Sequence, residues 1–261
     1  MPRVETTIED HIAHVRLTRG DKHNAVDEAM MTAVVEAGQS LMDADIRCVV
    51  LSGEGPSFCA GLDVMSFASF ATRDPEEMLM PRSQGNTNMF QEFAMVWRRL
   101  AVPVIAAVHG AAYGAGFQLS LGADMRVAHP DAKLSVMEMK WGLIPDMGGT
   151  VLLRRLVRSD VMRQMVYTAR PIKADQAERC GLVTQVSEDP FATARDLALE
   201  IAGKSPSAMR AAKRIIGASD AGMEEDALLL EESREQAALI GGKDQMEVVA
   251  ANMAGRAPKF S

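Results

Sequence analysis

The sequence predicts an α/β fold with a largely parallel sheet and a helical C-terminal region, and three observations carry that expectation. First, Cys48-Val49-Val50-Leu51 and Pro103-Val104-Ile105-Ala106-Ala107-Val108 are contiguous apolar runs bounded by turn formers. Such runs suit strands buried on both faces. Second, each run is followed by a glycine-bearing turn, Ser57-Phe58-Cys59-Ala60-Gly61-Leu62-Asp63 and His109-Gly110-Ala111-Ala112-Tyr113-Gly114-Ala115-Gly116, that leads toward a helix. Third, strand and helix patterns alternate until Asp189, beyond which no strand pattern remains.

Taken in order, residues 3–8 and 11–18 read as a hairpin turning at Glu9-Asp10, with Ile12, His14 and Arg16 alternating against Ala13, Val15 and Leu17. Asp27 is placed to cap a helix running to about Met42. A strand at 46–51, the first turn and a helix from about Gln84 to Leu100 follow. Between them, residues 70–85 carry Asp74-Pro75-Glu76-Glu77 and Pro81-Arg82-Ser83-Gln84-Gly85 and read as a loop of the kind that shapes a substrate site. A strand at 103–108, a helix from about Gly114 and short strands near 124–128 and 182–187 complete the core. Helices are expected at 190–203, 206–217, 222–239 and 243–253, with no sheet of their own to cover. The expected organisation is thus an α/β core over 1–190 and a helical region over 191–261.

The chain has 261 residues, 48% of them hydrophobic, enough for one large core. Its net charge of -7 offers no electrostatic footprint for nucleic acid. Cys48, Cys59 and Cys180 are odd in number and lack metal-ligand spacing, so they read as reduced packing residues, and no histidine–carboxylate cluster suggests a metal. From Ala101 to Ala123 there is no Asp, Glu, Lys or Arg. That length spans a bilayer, yet Pro103, His109, Gln118 and four glycines interrupt it in the manner of a strand–turn–helix unit. The segment is therefore expected inside a core rather than a membrane. Met1-Pro2-Arg3-Val4-Glu5 lacks the apolar stretch of a signal peptide, so a cytoplasmic protein is expected.

Backbone N–H groups at a helix start have no intrahelical partner. Two such groups facing one carbonyl oxygen form an oxyanion hole. Either turn alone is a loop with glycines; the pair is more specific. Its wording, Ser-Phe-Cys-Ala-Gly-Leu-Asp followed by Pro-Val-Ile-Ala-Ala-Val-His-Gly and the Gly-Ala-Gly turn, closely resembles the crotonase family of enoyl-CoA hydratases and isomerases. The likeness extends to Lys22-His23-Asn24-Ala25, to Gly142-Leu143-Ile144-Pro145-Asp146-Met147-Gly148-Gly149-Thr150 and to Ala177-Glu178-Arg179-Cys180-Gly181-Leu182-Val183.

The resemblance implies a crotonase-like spiral of stacked β-β-α units and a helical C-terminal oligomerisation region, building trimers or dimers of trimers. It implies an acyl-CoA thioester as substrate, with no separate cofactor because coenzyme A is part of that substrate. Transferred by position, the oxyanion donors are the backbone N–H groups of Ala60 and Ala115. Substrate contacts fall on Lys22, Ala60, Gly61, Leu62, Asp63 and Gly114. Glu138 matches the acid–base glutamate shared by hydratases and double-bond isomerases, and its apolar setting, Val136-Met137-Glu138-Met139, is expected to raise its pKa.

One position departs from the hydratase pattern. Hydratases carry a second glutamate where this chain has Gln118, and an amide cannot accept a proton from water as a carboxylate can. Asp146, eight residues after Glu138, matches an acid of dienoyl-CoA isomerases; its alternative reading is an N-cap or turn residue before Gly148-Gly149. Glu138, Asp146 and Gln118 are the expected catalytic residues, and double-bond isomerisation is the favoured reaction. A hydratase using water held by Gln118 is the alternative within the family. A non-catalytic acyl-CoA- or RNA-binding member is disfavoured by the retained Glu138 and the acidic balance. A Clp-type serine protease is disfavoured because the second turn offers Tyr113-Gly114-Ala115 in place of a nucleophilic serine.

Overall fold

The computed structural model describes residues 2–65 and 72–260. Strands β1 (Val4–Glu9) and β2 (Ile12–Leu17) form the expected hairpin. Its turn falls on Asp10 and His11, one residue later than expected, both with positive φ (51° and 61°). That is the backbone a two-residue hairpin needs to match strand twist. Helix α1 (Glu28–Ser40) starts where Asp27 Oδ1 accepts the Met30 N–H at 2.8 Å. Then come β3 (Cys48–Gly53), a short helix α2 (Pro75–Leu79) and α3 (Met89–Arg99). The expected loop at 70–85 therefore contains a helix turn, capped by Asp74; residues 66–71 lie outside the described part. Helix α3 begins five residues later than expected, because Asn88 and Gln91 close a reciprocal capping box there.

Strands β4 (Val104–Val108) and β5 (Ala111–Tyr113) precede α4 (Ala115–Gly122), β6 (Met125–Ala128) and β7 (Lys133–Ser135). After a 3-10 helix at Met137–Trp141 come α5 (Gly149–Leu153), α6 (Ser159–Thr168), β8 (Ile172–Lys173), α7 (Ala174–Arg179) and β9 (Gln185–Val186). Helices α8 (Pro190–Ala202), α9 (Pro206–Asp220), α10 (Glu225–Leu239) and α11 (Lys243–Met253) follow.

Six strands form the main sheet in the order β1-β2-β3-β4-β6-β9, and every pairing after the first is parallel. A second sheet, β5-β7-β8, was not legible as strands because its members are only two or three residues long. Alternate residues of a strand face opposite sides, and here both sides are buried. Val49, Leu51, Val104, Ala106 and Val108 face a core shared with Met30 and Val34 of α1 and Phe93 and Trp97 of α3. Cys48, Val50, Ile105, Ala107 and Val127 face Ala194, Ala198 and Ala202 of α8.

The first of the C-terminal helices thus covers the sheet of the core. A parallel sheet needs helices on both faces, and alanines spaced four apart let α8 lie close against the second one. Helices α10 and α11 instead leave Leu229, Leu230, Met246 and Met253 exposed. Among the described residues, no helix is long and apolar enough to cross a membrane; the uncharged 101–123 stretch is β4, β5 and α4 of the buried core.

Candidate active site

The two glycine turns lie side by side. Cys59 and Ala112 form a parallel bridge, with the Cys59 N–H donating to Ala111 O at 3.0 Å and the Tyr113 N–H to Cys59 O at 3.0 Å. Glycine is required at two positions for this approach. A Cβ on Gly61, whose φ is +96°, would stand 2.7 Å from Tyr113 O, and one on Gly116 would stand 2.2 Å from Cys59 O. Asn24, buried in an αL conformation (φ 54°), ties the first turn down from behind. Its Nδ2 donates to the carbonyls of Glu54, Ser57 and Phe58 at 2.9, 2.8 and 3.1 Å. Sequence reasoning gave Asn24 no role of its own; the signal was an asparagine beside a turn, where αL is tolerated.

Where the turns meet, a cleft of about 50 Å³ is lined by Ala60, Gly61, Leu62, Gly114, Ala115, Met137, Glu138, Trp141 and Leu143. The donors differ from expectation at one point. Ala60 cannot offer its N–H, because that group donates to His23 O at 2.9 Å. The first turn is not a helix start at this point but an extended segment bridged to Val26 at Leu62. Gly61 O accepts the Val26 N–H at 2.8 Å and the Asp63 N–H donates to Val26 O at 2.9 Å. In a parallel bridge of this kind the N–H of the central residue, Leu62, points to the opposite side, where the cleft lies. Ala115 opens α4, so its N–H has no acceptor within the helix. Gly114 precedes it with φ 51° and brings the backbone against Glu138, where a Cβ would lie 3.3 Å from Oε1.

Glu138 sits on the 3-10 helix and is 9% exposed. Its Oε1 accepts from Gln118 Nε2 at 2.6 Å, while Oε2 is buried with no partner among the described residues. Burial, reinforced by the nearby charge of Asp146, pushes its carboxyl up to about 7, against the opposing pull of its backbone and Gln118 hydrogen bonds. Gln118 is fully buried and does not line the cleft. Its Oε1 accepts the N–H groups of Met147 and Gly149 at 2.9 and 2.8 Å, which leaves Nε2 to face Glu138. In the alternative reading, a hydratase, Gln118 would hold a water; here its Oε1 is taken by two backbone N–H groups and its Nε2 donates to Glu138.

Asp146 is half-buried, and burial raises its carboxyl. It is not the cap of α5, since Gly148 holds the N-cap position without a side-chain bond. Asp63 is a bracing residue: its Oδ1 accepts the Met65 N–H at 3.0 Å and its Oδ2 meets Arg19 Nη1 at 2.7 Å, an interaction that lowers its carboxyl pKa. Lys22 is exposed on a neighbouring turn outside the cleft lining, although its charge also reaches Asp63. Cys59 is buried, its thiol pushed up to about 12, and donates to Asn24 O; it packs rather than reacts. His23 Nδ1 lies 3.0 Å from Ser57 Oγ, but that oxygen is buried and accepts the Ala111 N–H, outside the cleft lining. The pair stitches the turns together and is not a protease dyad. Among the described residues, no group of three His, Cys, Asp or Glu side chains is placed to hold a metal. A larger cavity of about 520 Å³ lies against α9, and none of the expected site residues lines it.

Comparison with known proteins gives the family and the fold. The family model for enoyl-CoA hydratase/isomerase matches residues 7–260. The chain is 34% identical over 223 residues to the human mitochondrial Delta(3,5)-Delta(2,4)-dienoyl-CoA isomerase, an alignment covering 80% of this chain and 66% of that protein. It thus spans slightly less than two thirds of the length of that relative. It is 31% identical over 260 residues to the probable enoyl-CoA hydratase echA8 of Mycobacterium tuberculosis, covering 97% of this chain and 95% of that protein. Among solved structures, the enoyl-CoA hydratase of Mycobacterium tuberculosis H37Rv superposes with a TM-score of 0.87 at 29% identity, covering 100% of this chain and 99% of that one. The enoyl-CoA hydratase of Bacillus anthracis superposes with a TM-score of 0.88 at 28% identity, covering 99% and 98%.

Proposed function

The chain belongs to the enoyl-CoA hydratase/isomerase family, and on that premise we propose that it moves a double bond along the acyl group of an enoyl- or dienoyl-CoA. The thioester oxygen accepts hydrogen bonds from the N–H groups of Leu62 and Ala115. Donors preorganised in this way stabilise a developing enolate by ~3–4 kcal/mol each. The ionised Glu138, through Oε2, removes the proton from the carbon next to the thioester of a 3-enoyl substrate. The C–H electron pair passes into the carbonyl, giving a dienolate. When the carbonyl re-forms, Glu138 returns the same proton to the distal carbon and the double bond ends in conjugation with the thioester. Mass is conserved, and the proton transfer asks for no separate cofactor.

The observation that carries this reading is the state of Glu138: a carboxylate lining the cleft with one oxygen held by Gln118 and the other without a partner among the described residues. Its pKa of about 7 suits a group that must both take and give a proton near neutrality. Asp146 is the second acid in this proposal, used when a dienoyl substrate requires reprotonation farther along the chain. Similarity to a dienoyl-CoA isomerase supports that role.

Hydration is the second reading, supported by relatives named as hydratases. It needs a group that activates water, and the Gln118 carbonyl already accepts two backbone N–H groups. Incubation with a panel of enoyl- and dienoyl-CoA esters tests the proposal. Products of unchanged mass with shifted ultraviolet absorption support isomerisation; products heavier by one water refute it in favour of hydration. The exposed apolar side chains of α10 and α11 support self-association into trimers or dimers of trimers. Sedimentation showing a stable monomer of 28.2 kDa at micromolar concentration refutes that part.

A further inference from the structure

Among the described residues, the cleft beside Glu138 encloses about 50 Å³, room for the thioester carbonyl and the carbons next to it. The remainder of the acyl group must pass over its rim, and the rim is apolar. Met137, Trp141 and Leu143 line it, with Trp141 52% and Leu143 46% exposed. The adjoining Ile144 is 67% exposed.

The arrangement has a local cause. In a 3-10 helix, residues three apart eclipse, so Trp141 stands on the same face as Glu138. Gly142 then ends the helix in an αL conformation (φ 75°), and the Leu143 N–H turns back to Glu138 O at 3.1 Å. That bond holds Leu143 at the rim, and Ile144 follows it in the chain. Lys140 Nζ lies 5.9 Å from the Trp141 ring centre. Large apolar side chains exposed at the mouth of a site mark what the site binds.

We propose that Met137, Trp141, Leu143 and Ile144 form a shelf for an extended, uncharged acyl chain. The preferred substrates are then enoyl-CoA esters longer than crotonyl-CoA, and short or carboxylated acyl groups are poor ones. The proposal rests on the reading of the cleft as a CoA-thioester site. The conserved quantity of the shelf is area: each methylene laid on it contributes about fourfold to kcat/KM, until the chain outruns the rim.

Two measurements on the intact protein test this. The first compares the 3-enoyl-CoA esters of four, six, eight and ten carbons, all with the double bond between carbons 3 and 4. A kcat/KM that climbs several-fold at each early step, with a slope reduced in Trp141→Ala, is expected. The second uses tryptophan emission with unreactive saturated esters, and needs no variant. The chain has two tryptophans, and Trp97 is buried in the core at 0% exposure, so a change on binding reports Trp141. Octanoyl-CoA should shift the emission to shorter wavelength, and acetyl-CoA at saturation should leave it unmoved. Equal kcat/KM across the chain-length series, or equal emission with both saturated esters bound, overturns the shelf while leaving the thioester site intact. Failure of every CoA ester to bind or react overturns the site itself.

Discussion

Glu138→Gln separates the chemical role of this residue from its structural cost. Glutamine keeps the shape of the protonated acid and can still accept from Gln118 Nε2, but it cannot ionise. Burial raises the carboxyl from 4.5 to about 7, so the folded state holds its proton more tightly than the unfolded chain does. A group raised in this way contributes its stability below the unfolded value and loses it as pH climbs through the folded one. The window therefore runs from 4.5 to about 7. At ~1.4 kcal/mol per tenfold change in proton affinity, the ionised carboxylate costs the fold ~3 kcal/mol at alkaline pH. The variant escapes that cost.

Glu138→Gln should consequently match the parent within ~1 kcal/mol near pH 5 and exceed it by ~2–3 kcal/mol near pH 8.5. For a chain of this size that is a rise in Tm of roughly 5–10 °C. Urea unfolding of both proteins at the two pH values measures it. Isomerase turnover in the same variant should fall by at least ~100-fold while acyl-CoA binding persists. In the parent, kcat/KM should rise with pH to a midpoint near 7, as the proton-accepting carboxylate forms. A stability difference that is the same at both pH values would show that Glu138 ionises normally, and the reasoning would fail.

Gln118→Glu puts a second carboxyl 2.6 Å from Glu138 Oε1, and two carboxyls that close share a proton. The pH midpoint of isomerisation should move above that of the parent without a gain in hydration; an unchanged midpoint contradicts the pairing. Gly116→Ala forces a methyl to 2.2 Å from Cys59 O and should separate the two turns. A loss of Tm together with kcat is expected, and parental values for both contradict it. Asn24→Ala removes three contacts to turn carbonyls. It should cost ~2–4 kcal/mol in urea unfolding at ~1 kcal/mol or more per buried bond, and a change under 0.5 kcal/mol argues against its bracing role.

The sequence by itself determined the sheet and the identity of its main strands. Contiguous apolar runs such as Cys48–Leu51 and Val104–Val108 have one stable use, between two layers of helix, whatever their distant neighbours. It also determined the cap at Asp27, because capping acts over a few residues; Glu138 stands out in the sequence by its resemblance to the family's acid–base glutamate, while its burial comes from tertiary packing. Tertiary structure decided what depends on long-range pairing. Ala60 and Leu62 belong to the same glycine-bearing turn in the sequence. The bridge to Val26 and the bond to His23 O decide that Leu62 presents its N–H to the cleft while Ala60 does not. Gln118 reads as a site residue until the Met147 and Gly149 amides, some thirty residues away in the chain, claim its carbonyl. The same limit applies to α8, whose alanines at 194, 198 and 202 announce close packing but not its partner. Local patterns state what a segment needs; the folded chain decides which distant group supplies it.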